Sequence, residues 1–377
     1  MAPYAREHFG NASAIHVEGQ HARDAIEHAR ARCAEVLRTR NSEVFFTSGG
    51  TESNNLAISG ALEHALCTRA PEACEVVTTA IEHPSVMGVL ARYAARGVVV
   101  HQVPVSEDGR ISLSTLTQLI SPRTILVTCA YANSEIGVVQ DVKAIARIVR
   151  AHRATVKSVY PLMHLDASQA PLYLPCACDS LGVDLLTLDA AKCYGPKGVG
   201  VLVKKQHAPI APLFAGGDQE EGLRPGTENT ALIVGFAEAF VRAQRTYVQR
   251  AQKLEKLRDY GIEEILRSIP GAVVNGSQEH RIANNINISI PGIEGEYAAV
   301  VLDHHGFAVS TKSACSGASG SGSAVIYALG GDDARALSTV RITLGEETTK
   351  RNIYACIRVL QKHVAFMRAK FDQIQKK

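Results

Sequence analysis

The sequence is short of three things: a long hydrophobic run, an excess of charge of either sign, and any internal repeat. No apolar stretch approaches the roughly 20 residues that a membrane-spanning helix needs, so no transmembrane segment is expected. No secretory signal precedes the first charges, and a reducing cytoplasm is the expected location. Lysine and arginine number 40 against 37 acidic residues, a formal net charge of +3 that implies no nucleic-acid partner. Local clusters such as Arg147, Arg150 and Arg153 read as solvated helix faces. The nine cysteines, without a secretion signal, read as free thiols rather than a disulfide framework. Cys176 and Cys178 form a lone C-x-C with no partner ligands, so no metal site is expected.

What is present is an alternation of strand and helix. Strand-like runs stand at 44–46, 75–79, 98–103, 124–130, 158–166, 184–188 and 199–203, mostly separated by helical stretches such as 85–96 and 142–151. Such alternation predicts an α/β fold whose mostly parallel, seven-stranded sheet is covered by helices on both faces. Two helical segments are expected from Ala231 through Arg267. Beyond Pro270, short strands at 272–275 and 285–290, a helix at 295–305 and a terminal helix from Thr348 predict a smaller C-terminal α+β domain. A chain of 377 residues exceeds the usual single-core limit, and the boundary is placed at 247, giving domains of 1–247 and 248–377.

Chemistry concentrates at the ends of the strands. Lys192, in LLTLDAAKCYGPKGVGVLV, lies between an apolar strand and a glycine-proline loop, where a lysine can form a Schiff base. The run SVYPLMHLDASQA ends at Asp166 with Gln169 just beyond, so both emerge on the carboxyl edge where α/β enzymes build ligand sites. An amine for an aldehyde and a carboxylate for a ring nitrogen suggest pyridoxal phosphate, which also needs a phosphate cradle. SEVFFTSGGTESNN offers one: a short strand, a Gly49-Gly50 turn, and a helix opened by Thr51 whose free amides favour an anion. Cys315 sits in TKSACSGASGSGSAV among small, flexible residues, a setting in which a thiol can be carried into and out of a site. Arg341, on a strand-like stretch of LSTVRITLGEETT, can clamp a carboxylate in bidentate fashion.

These motifs, taken in order, resemble the cysteine desulfurases, class V aminotransferase-like enzymes of PLP fold type I. The likeness runs from FGNASAIHVEG through TSGGTESNNLAI, EHPSV, NSEIGVVQD, HLDASQA, KCYGPKGVG, RPGTENT and KSACS to RITLGEETT. It implies that Lys192 holds the cofactor and moves protons, that Asp166 pairs with the pyridinium nitrogen, and that Gln169 bonds the ring hydroxyl. His83 would stack on the ring and assist deprotonation, and Gly50 with Thr51 would hold the phosphate. Thr227 would reach the phosphate of a neighbouring subunit, so a homodimer is implied. Arg341 would bind the carboxylate of L-cysteine, and Cys315 would receive its sulfur as a persulfide, releasing L-alanine. The Gly/Ser stretch after Cys315 resembles the branch whose loop swings out to hand sulfur to scaffold or acceptor proteins for iron-sulfur cluster assembly or transfer-RNA thiolation.

Three departures from the family pattern stand out. The family has S-x-H-K before the lysine, whereas this chain reads Asp189-Ala190-Ala191-Lys192, losing two phosphate contacts and bringing a negative charge toward a phosphate. Ser134 stands in ANSEIG where the family commonly has a second asparagine that helps hold the substrate carboxylate or the ring hydroxyl, with Asn133 left to compensate. The family also begins with a strand and an Ala-Thr-Thr segment; here either about two dozen residues are lacking or the small domain has one strand fewer. The alternatives to a working desulfurase are a weakened or non-catalytic scaffold relative in a sulfur-transfer complex, and a selenocysteine lyase.

Overall fold

The computed structural model describes residues 1–311 and 322–375. The chain forms two compact units, and the first comprises Met1–Val103, Leu113–Tyr131 and Asp141–Tyr247. It carries seven strands: β1 (Val44–Thr47), β2 (Glu75–Thr79), β3 (Val99–Val103), β4 (Thr124–Ala130), β5 (Leu162–Asp166), β6 (Leu185–Asp189) and β7 (Gly200–Lys204). They form one sheet in the order β1-β7-β6-β5-β4-β2-β3. Pairing from β3 through β6 is parallel, while β7 runs antiparallel to both β6 and β1. The expected mostly parallel, seven-stranded α/β sheet is what forms.

The inner parallel strands are buried along almost their whole length, as EVVTT, TILVTCA and LMHLD show, because helices cover both faces and leave no side for polar alternation, while the edge strand β3 is only partly buried. A core of Phe45, Leu62, Val76, Leu90, Ile125, Leu126, Leu162 and Leu185 joins the sheet to helices Gly50–Leu66 and Pro84–Ala94. The first of these helices approaches a neighbouring loop so closely that only glycine fits at position 60. A Cβ there would lie 2.7 Å from the main-chain oxygen of Ala211, whose amide donates to the Gly60 carbonyl at 2.9 Å.

The direction of the strands decides where function can sit. Since β7 is antiparallel to both β1 and β6, strands β1 and β6 run the same way as β4 and β5. The turns after β1, β5 and β6 therefore leave the sheet at one edge, the edge at which α/β proteins place ligands.

Two features of this unit differ from what the sequence suggests. A 21-residue helix, Val17–Leu37, is hard to see there because its buried face is built from Ala22, Ala25, Ile26, Ala29, Cys33 and Leu37, mostly too small to give a strong apolar period. Arg153 is no solvated residue either: it is half-buried and ion-paired to Asp184, with its Nε donating to the carbonyl of Pro161 at 2.6 Å.

The second unit comprises Pro104–Ser112, Ala132–Gln140 and the chain from Val248 onward. It holds an antiparallel sheet in the order β10-β9-β8, with β8 Val273–Val274, β9 Asn285–Ser289 and β10 Thr339–Thr343, and helices Gly295–His304 and Lys350–Gln375. The two helical segments expected between 231 and 267 are one 39-residue helix, Thr230–Ser268. No proline interrupts this stretch, so nothing forces a break.

Candidate active site

Asp166 ends β5 and is held from two directions. Its Oδ1 accepts from the Ser168 amide at 3.0 Å and the Ser168 hydroxyl at 2.6 Å, a tight turn in which a side chain binds its own backbone. Its Oδ2 accepts from Nδ2 of Asn54 at 2.8 Å. Asn54 lies on the first turns of helix Gly50–Leu66, and the same nitrogen donates to Ser85 Oγ at 2.9 Å. Ser85 in turn sits 2.7 Å from Nδ1 of His83, which caps helix Pro84–Ala94 by accepting the Ser85 amide at 3.1 Å. A continuous chain of hydrogen bonds thus runs Ser168, Asp166, Asn54, Ser85, His83. It fixes the carboxylate and the imidazole relative to one another. Gln169 follows in the turn after Asp166, half-buried.

The turn after β1 reaches the same place. Gly49 has φ +151°, a conformation side chains rarely adopt, and caps the helix that begins at Gly50 rather than at Thr51; Thr51 is exposed. A Cβ on Gly50 would meet Ser168 Oγ at 3.0 Å and Asp189 Oδ2 at 3.2 Å, so the three strand-end motifs converge within contact distance. The Gly50 amide donates to Asp189 Oδ2 at 3.0 Å, and the Ala191 amide to Asp189 Oδ1 at 2.9 Å. The carboxylate of Asp189 therefore occupies the helix N-terminus where an anion is favoured.

Lys192 follows in a 3-10 turn, Ala190–Cys193, and is exposed, whereas Cys193 is buried with its sulfur 3.3 Å from the Ala190 carbonyl. The turn thus presents one side chain to solvent and encloses the other. Thr227 is exposed in the loop before helix Thr230–Ser268. That loop is tied to the glycine turn by Arg224, whose Nε lies 2.8 Å from Glu52 Oε1, while Glu52 Oε2 accepts the Ser48 amide at 2.8 Å. Burial pushes the Glu52 carboxyl up, but Arg224 and Ser48 outweigh it and hold it below its usual value.

Sequence reasoning missed Asn54, Ser85, Ser168, Glu82 and His164, although all five lie inside motifs it had singled out. Glu82 is buried beside His83; its Oε1 accepts from Thr79 Oγ1 at 2.6 Å and the Ala130 amide at 3.0 Å, while Oε2 has no partner among the described residues. Burial pushes this carboxyl up to about 7, with the charge of Asp166 adding to the rise against the two donors. His164, two residues before Asp166, lies between Thr128 and Thr187 at 2.8 and 3.1 Å, and burial holds it well below its usual range and neutral. Their only sequence signal was a polar residue in an apolar strand or before a helix.

In the second unit, Arg341 lies on β10 opposite Asn287 of β9. Its Nη1 donates to the carbonyl of Ser134 at 2.8 Å, and its Nε is buried without a partner among the described residues. Burial lowers its pKa, with Glu135 pulling the other way. Asn133 is buried and shapes this loop: its Oδ1 accepts the amides of Glu135 and Ile136 at 2.8 and 2.9 Å. Ser134 thus contributes through its backbone carbonyl, by orienting Arg341. Cys315 lies outside the described residues.

The first unit fits the ring and aldehyde of pyridoxal phosphate. The donor set supplies a carboxylate locked by three hydrogen bonds, an imidazole in the same network, a lysine on the adjoining turn, and a buried Asn54 Oδ1 without a partner among the described residues. The phosphate end has its glycine turn, but with one amide already taken by Asp189.

Glu82 generates a pH prediction. Its folded pKa of about 7 exceeds the usual 4.5, so folding favours the protonated form; stability is full below 4.5 and is lost as pH rises through 7. Glu82→Gln mimics the neutral form. Urea midpoints between pH 5 and 8 should show the variant gaining on the parent by on the order of 2 kcal/mol as pH rises. Parallel stability curves would mean that Glu82 does not titrate there.

Comparisons with known proteins give the family and the fold. A family model described as aminotransferase class-V matches residues 1–355. Cysteine desulfurase IscS of Dictyoglomus turgidum is 37% identical over 368 residues, covering 98% of this chain and 91% of the relative. Among solved structures, a NifS-like protein superposes with a TM-score of 0.88 at 32% identity, covering 97% of this chain and 94% of the other. SspA in complex with cysteine superposes with a TM-score of 0.77 at 31% identity, covering 91% and 92%. With the sheet-edge carboxylate, the glycine turn and the adjoining lysine in one unit, the chain belongs to the class-V aminotransferase family, among the cysteine desulfurases.

Proposed function

We propose that this protein is a pyridoxal-phosphate-dependent cysteine desulfurase, converting L-cysteine to L-alanine while a cysteine of the chain takes the sulfur as a persulfide. The observation that carries the reading is the convergence of Asp166, Gly50 and the Lys192 turn at one sheet edge. The related SspA, solved in complex with cysteine, supports the substrate.

When bound, the cofactor supplies an electron sink beside the α-carbon of the amino acid. The residues around it would do the rest. Asp166 would keep a proton on the ring nitrogen, with Asn54 and Ser168 holding its two oxygens in place. Lys192 would hold the aldehyde and then shuttle a proton from its exposed turn. His83, its Nδ1 already accepting the Ser85 amide, would present its other nitrogen and ring face to the cofactor. Gln169 would bond the ring hydroxyl, and Gly50 and Thr51, with Thr227 of a second subunit, the phosphate. Arg341, steered by the Ser134 carbonyl on the Asn133 turn, would bind the substrate carboxylate; its Nε, without a partner among the described residues, favours that role. Cys315 would attack the sulfur: a sulfur-sulfur bond forms, the carbon-sulfur bond breaks, and alanine leaves with the proton balance L-cysteine plus thiol to alanine plus persulfide. A homodimer in the cytoplasm, delivering sulfur to iron-sulfur scaffold or acceptor proteins, completes the proposal.

Sulfur transfer is tested by mass spectrometry after one turnover. One added sulfur is expected on the peptide containing Cys315, and Cys315→Ala should bind cofactor yet yield little alanine and no persulfide. Cys193 is the rival because it adjoins Lys192, but at 1% exposure it is too enclosed to hand sulfur on. Sulfur on Cys193, with Cys315 unmodified, would overturn the assignment.

A weakened relative is favoured by one observation, the Asp189 carboxylate on the Gly50 amide. A phosphate must displace it or accept a like charge nearby. Asp189→Ser combined with Ala191→His is therefore expected to retain pyridoxal phosphate more tightly than the parent by roughly 1 to 3 kcal/mol, measured by dialysis. Equal retention would show that Asp189 turns aside at no cost.

A further inference from the structure

A second cluster of chemically active side chains lies in the first unit, on elements that the cofactor site does not use. His8, Glu18 and His21 offer ligand atoms that all lie within 4.8 Å of one another, the one such group of three among the described residues. Glu18 and His21 stand three residues apart on helix Val17–Leu37 and so share a face. Asp24 and His28 continue that face along the helix, and with His8, His21 and Tyr4 they line a cavity of about 410 Å³.

His8 is brought to this face by the path of the chain. Its amide donates to the carbonyl of Pro3 at 2.9 Å. Gly10 then presses on the helix start so tightly that a Cβ would lie 2.4 Å from the main-chain oxygen of Glu18. Arg23 fastens the intervening loop, its Nε donating to the Ala12 carbonyl at 2.8 Å and its Nη2 to the Ala14 carbonyl at 3.0 Å. His16 caps the helix by accepting the Gly19 amide at 3.2 Å. The imidazoles of His8 and His21 end up edge to face, with centroids 5.4 Å apart.

The geometry points to a binding site for a divalent transition-metal ion, with zinc the best match, formed by His8, Glu18 and His21. Two imidazole nitrogens and one carboxylate oxygen are a donor set that suits zinc-type ions better than magnesium or calcium, which take mostly oxygen. Three protein ligands leave a fourth position for water or another small ligand. Metal–ligand distances near 2.0–2.2 Å place neighbouring donors about 3.4 Å apart, so side-chain rotation need close the cluster by at most about 1.4 Å. Asp24 and His28 sit in the same cavity, where they can orient a ligand or bond the bound water. Binding would clasp the first ten residues to the helix.

The test is calorimetric titration of the pyridoxal-phosphate-loaded full chain with zinc chloride. Approximately one equivalent should bind with a dissociation constant in the micromolar range or tighter. His8→Ala and His21→Ala should each weaken binding more than about tenfold, and Glu18→Gln should weaken it measurably. Zinc should raise the melting temperature of the parent but not of His21→Ala. Cys67→Ser, which removes an exposed thiol, and His304→Ala, in a surface histidine pair elsewhere, should bind as the parent does. These surface substitutions should leave the circular dichroism spectrum unchanged. No binding at about 100 μM zinc, or equal binding by His8→Ala and His21→Ala, would overturn the site.

Discussion

The hydrogen bond between Asn54 and Asp166 is the constraint on which the rest of the site depends. It joins the first turns of helix Gly50–Leu66 to the last residue of β5, two elements far apart in the chain. A buried carboxylate costs several kcal/mol unless its oxygens are satisfied. Here Asn54 and Ser168 satisfy them, and the same Asn54 nitrogen reaches Ser85 and through it His83. Removing Asn54 would therefore loosen the carboxylate and the imidazole together.

That network shapes the electrostatics around it. Burial lifts the carboxyl of Glu82 to about 7, and the charge of Asp166 adds to the rise. His164, buried between two threonine hydroxyls, stays neutral despite the nearby carboxylate. The titratable neighbours of Asp166 are thus both shifted toward their neutral forms. At the other end of the site the logic is reversed. Asp189 brings a carboxylate to the helix terminus that would otherwise be free for a phosphate.

Much of this is legible in the sequence. The strands are visible because parallel strands buried on both faces read as continuous apolar runs, and Asp166, Lys192 and Gly50 stand out as polar or glycine interruptions at their ends. The departure at Asp189 is legible too, but its contact with the Gly50 amide is not, since 139 positions separate the two. The helix Val17–Leu37 is hidden because alanines face its core. What reads in the sequence as two helical segments is the single helix Thr230–Ser268. Asn54, Ser85 and Ser168 look like capping residues. Only the fold reveals that their side chains converge on one carboxylate and its network.

The central claim is that Asp166, at the strand edge, controls the electronics of a cofactor held by Lys192. The most direct test is the visible absorption spectrum of the protein reconstituted with pyridoxal phosphate, before and after L-cysteine, in the parent and in Asp166→Asn. The parent should show the band of a lysine-bound cofactor and change it when the amino acid is added. Asp166→Asn should show a shifted or diminished band and respond to cysteine far more weakly. Spectra that coincide in the two proteins, with and without cysteine, would contradict the claim.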